Sequence, residues 1–155
     1  MNWDEFHNNV IGWATDRGII PNATPDAQMG KVLEEIAETW QAIIAKDEAE
    51  IKDGIGDVAV TLVIHAELSN DTVDFDGWTI NPPCSLVNND YALYHLGQSA
   101  TLALGCDQTE ALTELVECCA IGGYDFMECC QLAWNEIKDR KGYLDDQGVF
   151  HKESK

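Results

Sequence analysis

The feature that most restricts what this chain can become is a helix-start signal that recurs along it. Asn2-x-x-Glu5, Asp47-x-x-Glu50, Asp107-x-x-Glu110 and Asp125-x-x-Glu128 each set a side-chain acceptor three residues before a Glu. In that pattern the first side chain takes up an orphan backbone N–H of the opening turn, and the Glu reaches back to the cap. Thr24-Pro25 is a fifth start, a capping hydroxyl followed by proline at the first helical position. Gly18, Gly105, Gly122-Gly123 and Gly142 supply the matching stops. With apolar residues at helical spacing in between, the pattern predicts helices over 3–17, 25–46, 48–68, 89–104, 107–121 and 126–141. The expected fold is all-α, an antiparallel bundle of five to six helices in a single domain spanning 1–155.

The segment 48–68 is apolar almost all round, with Ile55, Val58, Val60, Leu62, Val63, Ile64 and Leu68. Such a helix is buried on several sides. A chain of five or six helices is not expected to cover it alone, which points to a homo-oligomer, a dimer or tetramer. Residues 69–88 are rich in Asn, Asp and Pro and contain Pro82-Pro83, so they are expected to form a long loop inserted into the bundle. Val73, Phe75, Trp78 and Ile80 alternate as a short strand would, but no second strand is evident. The segment 143–155 reads as a polar tail with Val149-Phe150 as its apolar anchor.

Charge narrows the partners. The 155 residues carry 28 acids against 9 bases, a formal net charge of −19. A chain so acidic will not hold nucleic acid or an anionic membrane through bulk charge. No apolar run approaches the ~18 residues needed to span a membrane, and no basic stretch precedes an apolar leader. The six cysteines include two adjacent pairs, Cys118-Cys119 and Cys129-Cys130, and no C-x-x-C spacing. They are expected to be reduced thiols acting as small hydrophobes in a cytoplasmic protein.

Chemistry gathers in two places. Glu34, Glu35 and Glu38 lie on the second helix, opposite its apolar stripe. Asp53 and Asp57 share a face of the third, one turn apart, with Glu50 a turn earlier. That third helix has little solvated face to spare. A buried carboxylate needs a partner or is neutralised, and only Lys31, Lys46 and Lys52 are near in sequence. Facing acids on two antiparallel helices make an all-oxygen site, which suits Mg²⁺, with Mn²⁺ as a substitute. Five of the nine bases, Lys138, Arg140, Lys141, Lys152 and Lys155, fall in the last 18 residues. A cationic end beside an acidic metal centre can hold a polyphosphate between them.

Lys31-Val-Leu-Glu34-Glu35-Ile-Ala-Glu38, followed by Ile51-Lys-Asp53-Gly-Ile-Gly56-Asp57-Val, resembles the MazG-type all-α nucleoside triphosphate pyrophosphohydrolases, whose signature is E-E-x-x-E and then E-x-x-D. The start, Val10 to Ile19, and the end, Ala133 to Gly142 with Gly148 to Glu153, are similar to the phage-borne branch, which would place the protein in the host cytoplasm. The resemblance implies Mg²⁺-dependent conversion of an NTP or dNTP to the monophosphate and pyrophosphate. It implies metal ligation by Glu35, Glu38 and Asp57, with Glu34 as a water-positioning base or a further ligand. It also implies nucleotide and phosphate contacts from Asn135, Lys138 and Arg140, with Lys31 beside the acids. Trp13 and Trp134 are the aromatics near which a base could stack.

One departure stands out: the Glu of E-x-x-D is Gly54 here, and Asp53 or Glu50 could present the missing carboxylate. Gly54 itself admits two explanations, the close approach of a nucleotide or neighbouring helix, or mere tolerance. Asp74-x-Asp76-Gly77 resembles the middle of a calcium-binding loop, but Thr72 and Cys84 stand where its first and last acids belong. A second function class remains, a non-catalytic acidic protein that occupies a DNA-binding partner as a DNA mimic. A mimic should spread its acids over the outer surface instead of gathering them between two helices.

Overall fold

The computed structural model describes residues 1–73, 87–145 and 150–153. Among them are seven helices: α1 (Trp3–Asp16), α2 (Ile19–Asn22), α3 (Pro25–Ala45), α4 (Glu48–Leu68), α5 (Asn89–Leu104), α6 (Gln108–Ile121) and α7 (Phe126–Ile137). A two-stranded antiparallel hairpin follows, β1 (Gly142–Leu144) and β2 (Phe150–Lys152). The protein is all-α. The cap side chains accept as the sequence predicts, but the reciprocal bond from the Glu is made only in α1 among these described helices. Asn2 Oδ1 accepts from the Glu5 amide at 2.9 Å, and Glu5 Oε2 accepts from the Asn2 amide at 3.0 Å. Thr24, Asp47, Asp107 and Asp125 each accept from the amide three residues on. Asn88 is a further cap, for α5, accepting from the Tyr91 amide at 3.2 Å.

α4 is the centre of the bundle. Ile51, Ile55, Val58, Ala59, Val60, Leu62, Val63, Ile64 and Ala66 are all buried, and α3, α7, α6 and α1 pack around them. A single chain therefore covers the apolar helix, so its character gives no argument for further copies. Two glycines set how closely the neighbours approach. A Cβ at Gly54 would collide with the Thr39 hydroxyl on α3, while one at Gly56 would run into the Cys129 carbonyl on α7 and stand 2.7 Å from Ala133 Cβ. Gly54 is thus a helix-contact residue, and packing against α3 is the reason no Glu stands there.

Two departures from the sequence expectation concern the C-terminal part. α7 ends at Ile137, four residues before the expected 141, and residues 143–155 are not simply a polar tail. Leu144 pairs with Phe150 and Tyr143 with His151, and Phe150 sets its ring against Trp13 with centroids 5.6 Å apart. Gly142 lies in β1, where a Cβ would strike the His151 carbonyl and the Phe150 ring. Arg17 completes the arrangement. Its Nη2 donates to the Lys138 carbonyl at 3.1 Å, its Nε donates to the Arg140 carbonyl, and its guanidinium lies 4.8 Å from the Trp13 ring centroid. The free carbonyls just past α7 thereby gain charged donors from α1.

The expected loop at 69–88 lies mostly outside the described residues, as do the alternating Phe75, Trp78 and Ile80 and the residues of the calcium-loop likeness from Asp74 to Cys84. Cys118, Cys119, Cys129 and Cys130 are free and buried in the core, and burial pushes the Cys118 thiol up to about 12, so it stays a thiol. No described helix is long and apolar enough to cross a membrane.

The glycine contact makes a testable reversal. Ala for Gly in a helix ordinarily stabilises by about 1 kcal/mol. Gly56→Ala should instead destabilise by roughly 1–3 kcal/mol, because α7 must move away from α4. Urea unfolding checks this, and a stabilised Gly56→Ala protein would refute the contact.

Candidate active site

α3 lays Gln28, Lys31, Glu35 and Glu38 along one side, since residues three and four apart share a helix face. α4 places Asp57, Thr61 and Ile64 opposite them. Between the two helices is a hollow of about 440 Å³. Its remaining walls come from distant parts of the chain: Trp13 of α1, Ile19 of α2, Glu136 and Ile137 of α7, Arg140 just beyond it, and Phe150 and His151 of β2. A second hollow of about 320 Å³ shares Glu35, Glu38 and Asp57 and continues toward Asp53, Glu50 and Asp47. The three shared carboxylates therefore stand where the two hollows meet.

The electrostatics of this junction are unfavourable to the charges it holds. The Asp57 carboxyl is pushed up to about 7, first by burial and then by the charges of Glu35, Asp53 and Glu136. Glu35 is raised to about 6, again chiefly by burial, with Glu38 and Glu34 adding repulsion. Asp53 is raised by burial and by Glu136 and Glu50. Arg140 opposes all three shifts. Its guanidinium also pairs with Glu136 one turn back. Lys31 pairs with Glu34, Nζ to Oε2 at 2.5 Å, at the partly exposed rim.

The structure brings together most of the residues singled out from the sequence. Glu34, Glu35, Glu38, Asp57, Lys31 and Arg140 line the first hollow, and Asp53 and Glu50 line the second. Asn135 and Lys138 do not line either. Both are exposed, and Lys138 Nζ donates to Asn135 Oδ1 at 3.3 Å. Of the two tryptophans, Trp13 walls the hollow, while Trp134 packs against the core away from it. Lys155 lies outside the described residues.

Sequence reasoning missed four residues. Glu136 sits between the expected Asn135 and Lys138, but one step round the helix turns it to the acids. Gln28, Thr61 and His151 also line the hollow. Gln28 had a usable signal, lying three residues before Lys31 and seven before Glu35 on one helix face. His151 had none, because only the β1–β2 pairing carries it there, where its Nε2 stands 2.7 Å from Asp145 Oδ2.

The fold and the hollow define an all-α bundle with a carboxylate-lined cleft between two antiparallel helices, closed on one side by cations and on another by aromatics. Residues 23–79 match the family model of the MazG nucleotide pyrophosphohydrolase domain. That stretch takes in the whole of α3 and α4, and with them Glu34, Glu35, Glu38, Asp53 and Asp57. A relative from Haemophilus phage HP1 (strain HP1c1), described as an uncharacterized 18.2 kDa protein in the rep-hol intergenic region, is 37% identical over 59 residues. The aligned part is 38% of this chain and 36% of that protein, little more than a third of its length. No solved structure matches the chain. Over its central helical hairpin the chain is similar to the MazG nucleotide pyrophosphohydrolase domain and, over 59 residues, to the phage protein.

The acids where the two hollows meet fit a hard divalent cation: Glu35, Glu38 and Asp57 offer carboxylate oxygens, and their mutual repulsion is relieved by positive charge. Among the described residues no group of three or more His, Cys, Asp or Glu side chains is already closed around a metal-sized point.

The raised acids fix a pH dependence. A carboxyl whose pKa is higher folded than unfolded adds stability at low pH and loses it as pH rises through the folded value. Asp57, raised from 3.8 to about 7, should therefore destabilise the metal-free protein at pH 8 relative to pH 4. Asp57→Asn should raise the metal-free Tm at pH 8 by about 4–8 °C, roughly 2 kcal/mol. The gain should shrink toward zero below pH 4, which calorimetry across pH 4–8 would follow.

Proposed function

We propose that this protein hydrolyses (deoxy)nucleoside triphosphates to the monophosphate and pyrophosphate, using Mg²⁺ or, in its place, Mn²⁺. The observation that carries this reading is the convergence of Glu35, Glu38 and Asp57 on one junction of two hollows, within the stretch that matches the pyrophosphohydrolase domain. In this reading Glu35, Glu38, Asp57 and Asp53 hold the cation. Bound there, it would supply positive charge that draws in the triphosphate and acidifies a water for attack.

The protein's own groups do the rest. Glu34 stands at the rim, where it positions the attacking water and takes its proton, or serves as a further ligand. Lys31 keeps Glu34 in place through their ion pair. The water attacks the α-phosphorus, the bond to the bridging oxygen breaks, and pyrophosphate leaves with that bond's electron pair. Arg140, already drawn to the acids, steadies the charge on the leaving group. Asn135 and Lys138 extend the same edge beyond α7 and would reach the outer phosphates from outside the hollow. Gathering of acids in a cleft favours this reading over DNA mimicry, which needs them spread outward.

The protein would act in the cytoplasm, that of the host if it is phage-encoded, on a small-molecule nucleotide, without a nucleic-acid or membrane partner. A homo-oligomer, dimer or tetramer, belongs to the same proposal. Its support is the exposed apolar set Leu33, Trp40 and Ile44 on α3 with Tyr91 and Tyr94 on α5. A strict monomer by light scattering at high micromolar concentration, with activity retained, would remove it.

The reading is tested by incubating the protein with a dNTP panel and Mg²⁺ and assaying monophosphate and pyrophosphate. Mg²⁺ or Mn²⁺ should also raise the Tm, since a ligand bound only by the folded state stabilises it. Glu38→Gln should abolish turnover, and full activity in that variant would sink the site. Asp53→Asn should impair metal-dependent turnover nearly as much as Asp57→Asn, and Glu50→Gln less. A silent Asp53→Asn beside a dead Asp57→Asn would leave Asp53 as a bystander.

A further inference from the structure

Arg140, the cation beside the acids, stands on backbone that no helix holds. α7 ends at Ile137, five residues before Gly142, the glycine expected to stop it. Arg140 lies in that interval, and its amide makes a local bond, to the Ile137 carbonyl at 2.8 Å. A bond so local shapes a turn but does not decide where the turn lies against α3 and α4. The long-range hold comes from Arg17, at the C-terminal end of α1. Its Nε donates to the Arg140 carbonyl at 2.5 Å and its Nη2 to the Lys138 carbonyl at 3.1 Å. Nη1 turns back to the Trp13 carbonyl at 3.4 Å, and Cζ lies 4.8 Å from the centroid of the Trp13 ring. Trp13 is itself a core residue, 7% exposed.

The shape of the guanidinium matters here. Its planar fork presents N–H groups at fixed spacing, so two carbonyls taken together are fixed in direction as well as distance. A lysine ammonium on its flexible stem does not do this. In a chain with 28 acids, this cation gives its donors to carbonyls. The consequence falls on one wall of the hollow. The bonds of Arg17 go to α1 and to the segment after α7, whereas Glu35, Glu38 and Asp57 stand on α3 and α4. Loss of Arg17 therefore releases Arg140 and leaves the acids where they are. A shift of about 1 Å in a group that acts on the reacting atoms can cost ~10²-fold.

We propose that Arg17 is a positioning residue of the cleft: by gripping the Lys138 and Arg140 carbonyls from a seat on Trp13, it fixes the backbone from which the Arg140 side chain meets the phosphates. Arg17 touches no phosphate in this arrangement and acts through Arg140. The inference deepens the reading of the cleft as a triphosphate site and rests on it for the role of Arg140.

Equilibrium binding of inorganic pyrophosphate with Mg²⁺, by calorimetry, reports the cationic wall, and turnover of the dNTPs reports the chemistry. Arg140→Met should weaken pyrophosphate binding about tenfold or more, and Arg17→Met by nearly as much. In the double variant the loss should match that of Arg140→Met alone to within about twofold, since a residue that acts through another adds nothing once the other is gone. A clamp that only stabilises the fold gives losses that multiply. Arg17→Lys keeps the charge without the fork and should recover only part of the binding. Mn²⁺ binding, read by paramagnetic resonance, should be no weaker in Arg17→Met than in the wild type. Full pyrophosphate binding by Arg17→Met or Arg17→Lys, multiplying losses in the double variant, loss of Mn²⁺ binding in Arg17→Met, or a wild type that binds no pyrophosphate each overturns the inference. If Arg17→Met fails to fold, Arg17→Lys with and without Arg140→Met decides by the same comparison. Absent dNTP turnover with this binding pattern intact would overturn the pyrophosphohydrolase reading and leave the role of Arg17 standing.

Discussion

Everything at the cleft depends on how near α3 and α7 come to α4. Two positions on α4 have no side chain, Gly54 against Thr39 and Gly56 against the Cys129 carbonyl. Without a Cβ at either, the helices approach to backbone distance and carry their acids with them. Asp53 and Asp57 flank this contact on α4, Glu35 and Glu38 come from α3, and Glu136 comes from α7. A helix crossing that ordinary packing rules treat as a matter of small residues becomes here the means of crowding carboxylates. The same contact leaves no room for a Glu at 54, so the acid that the signature expects at that place must come from elsewhere or be dispensed with.

Crowding has an electrostatic consequence that the core must tolerate. Asp57 and Glu35 resist ionisation because burial removes water and each neighbour repels the next. The fold holds them together through the burial of α4 and not through any attraction among them. Arg140 is the counterweight. It belongs to no helix, and its position depends on Arg17, which reaches across from α1 to take the Arg140 and Lys138 carbonyls. Trp13 lies under that guanidinium and against Phe150, so one side chain of α1 organises both the cationic and the aromatic walls. The cationic and aromatic walls of the hollow are thus supported by one tether.

The sequence by itself determined six of the seven described helices and the acids. Asn2, Thr24, Asp47, Asp107 and Asp125 are legible as caps because each acts on an amide only three residues away, and the same locality makes the spacing of Glu34, Glu35, Glu38, Asp53 and Asp57 readable. What the tertiary structure alone decided is everything that depends on separation in sequence. Arg17 bonds a carbonyl 123 residues away. Phe150 and His151 reach the hollow only because β2 folds back on β1. Gly54 reads as a missing ligand until α3 is seen against it. Lys138, exposed just past α7, lines neither hollow, while Glu136, two positions earlier, lines the first. Periodicity gives each helix its faces; which face meets which neighbour is settled by the packing of the whole chain, because burial rewards the sum of contacts and not any one segment's pattern.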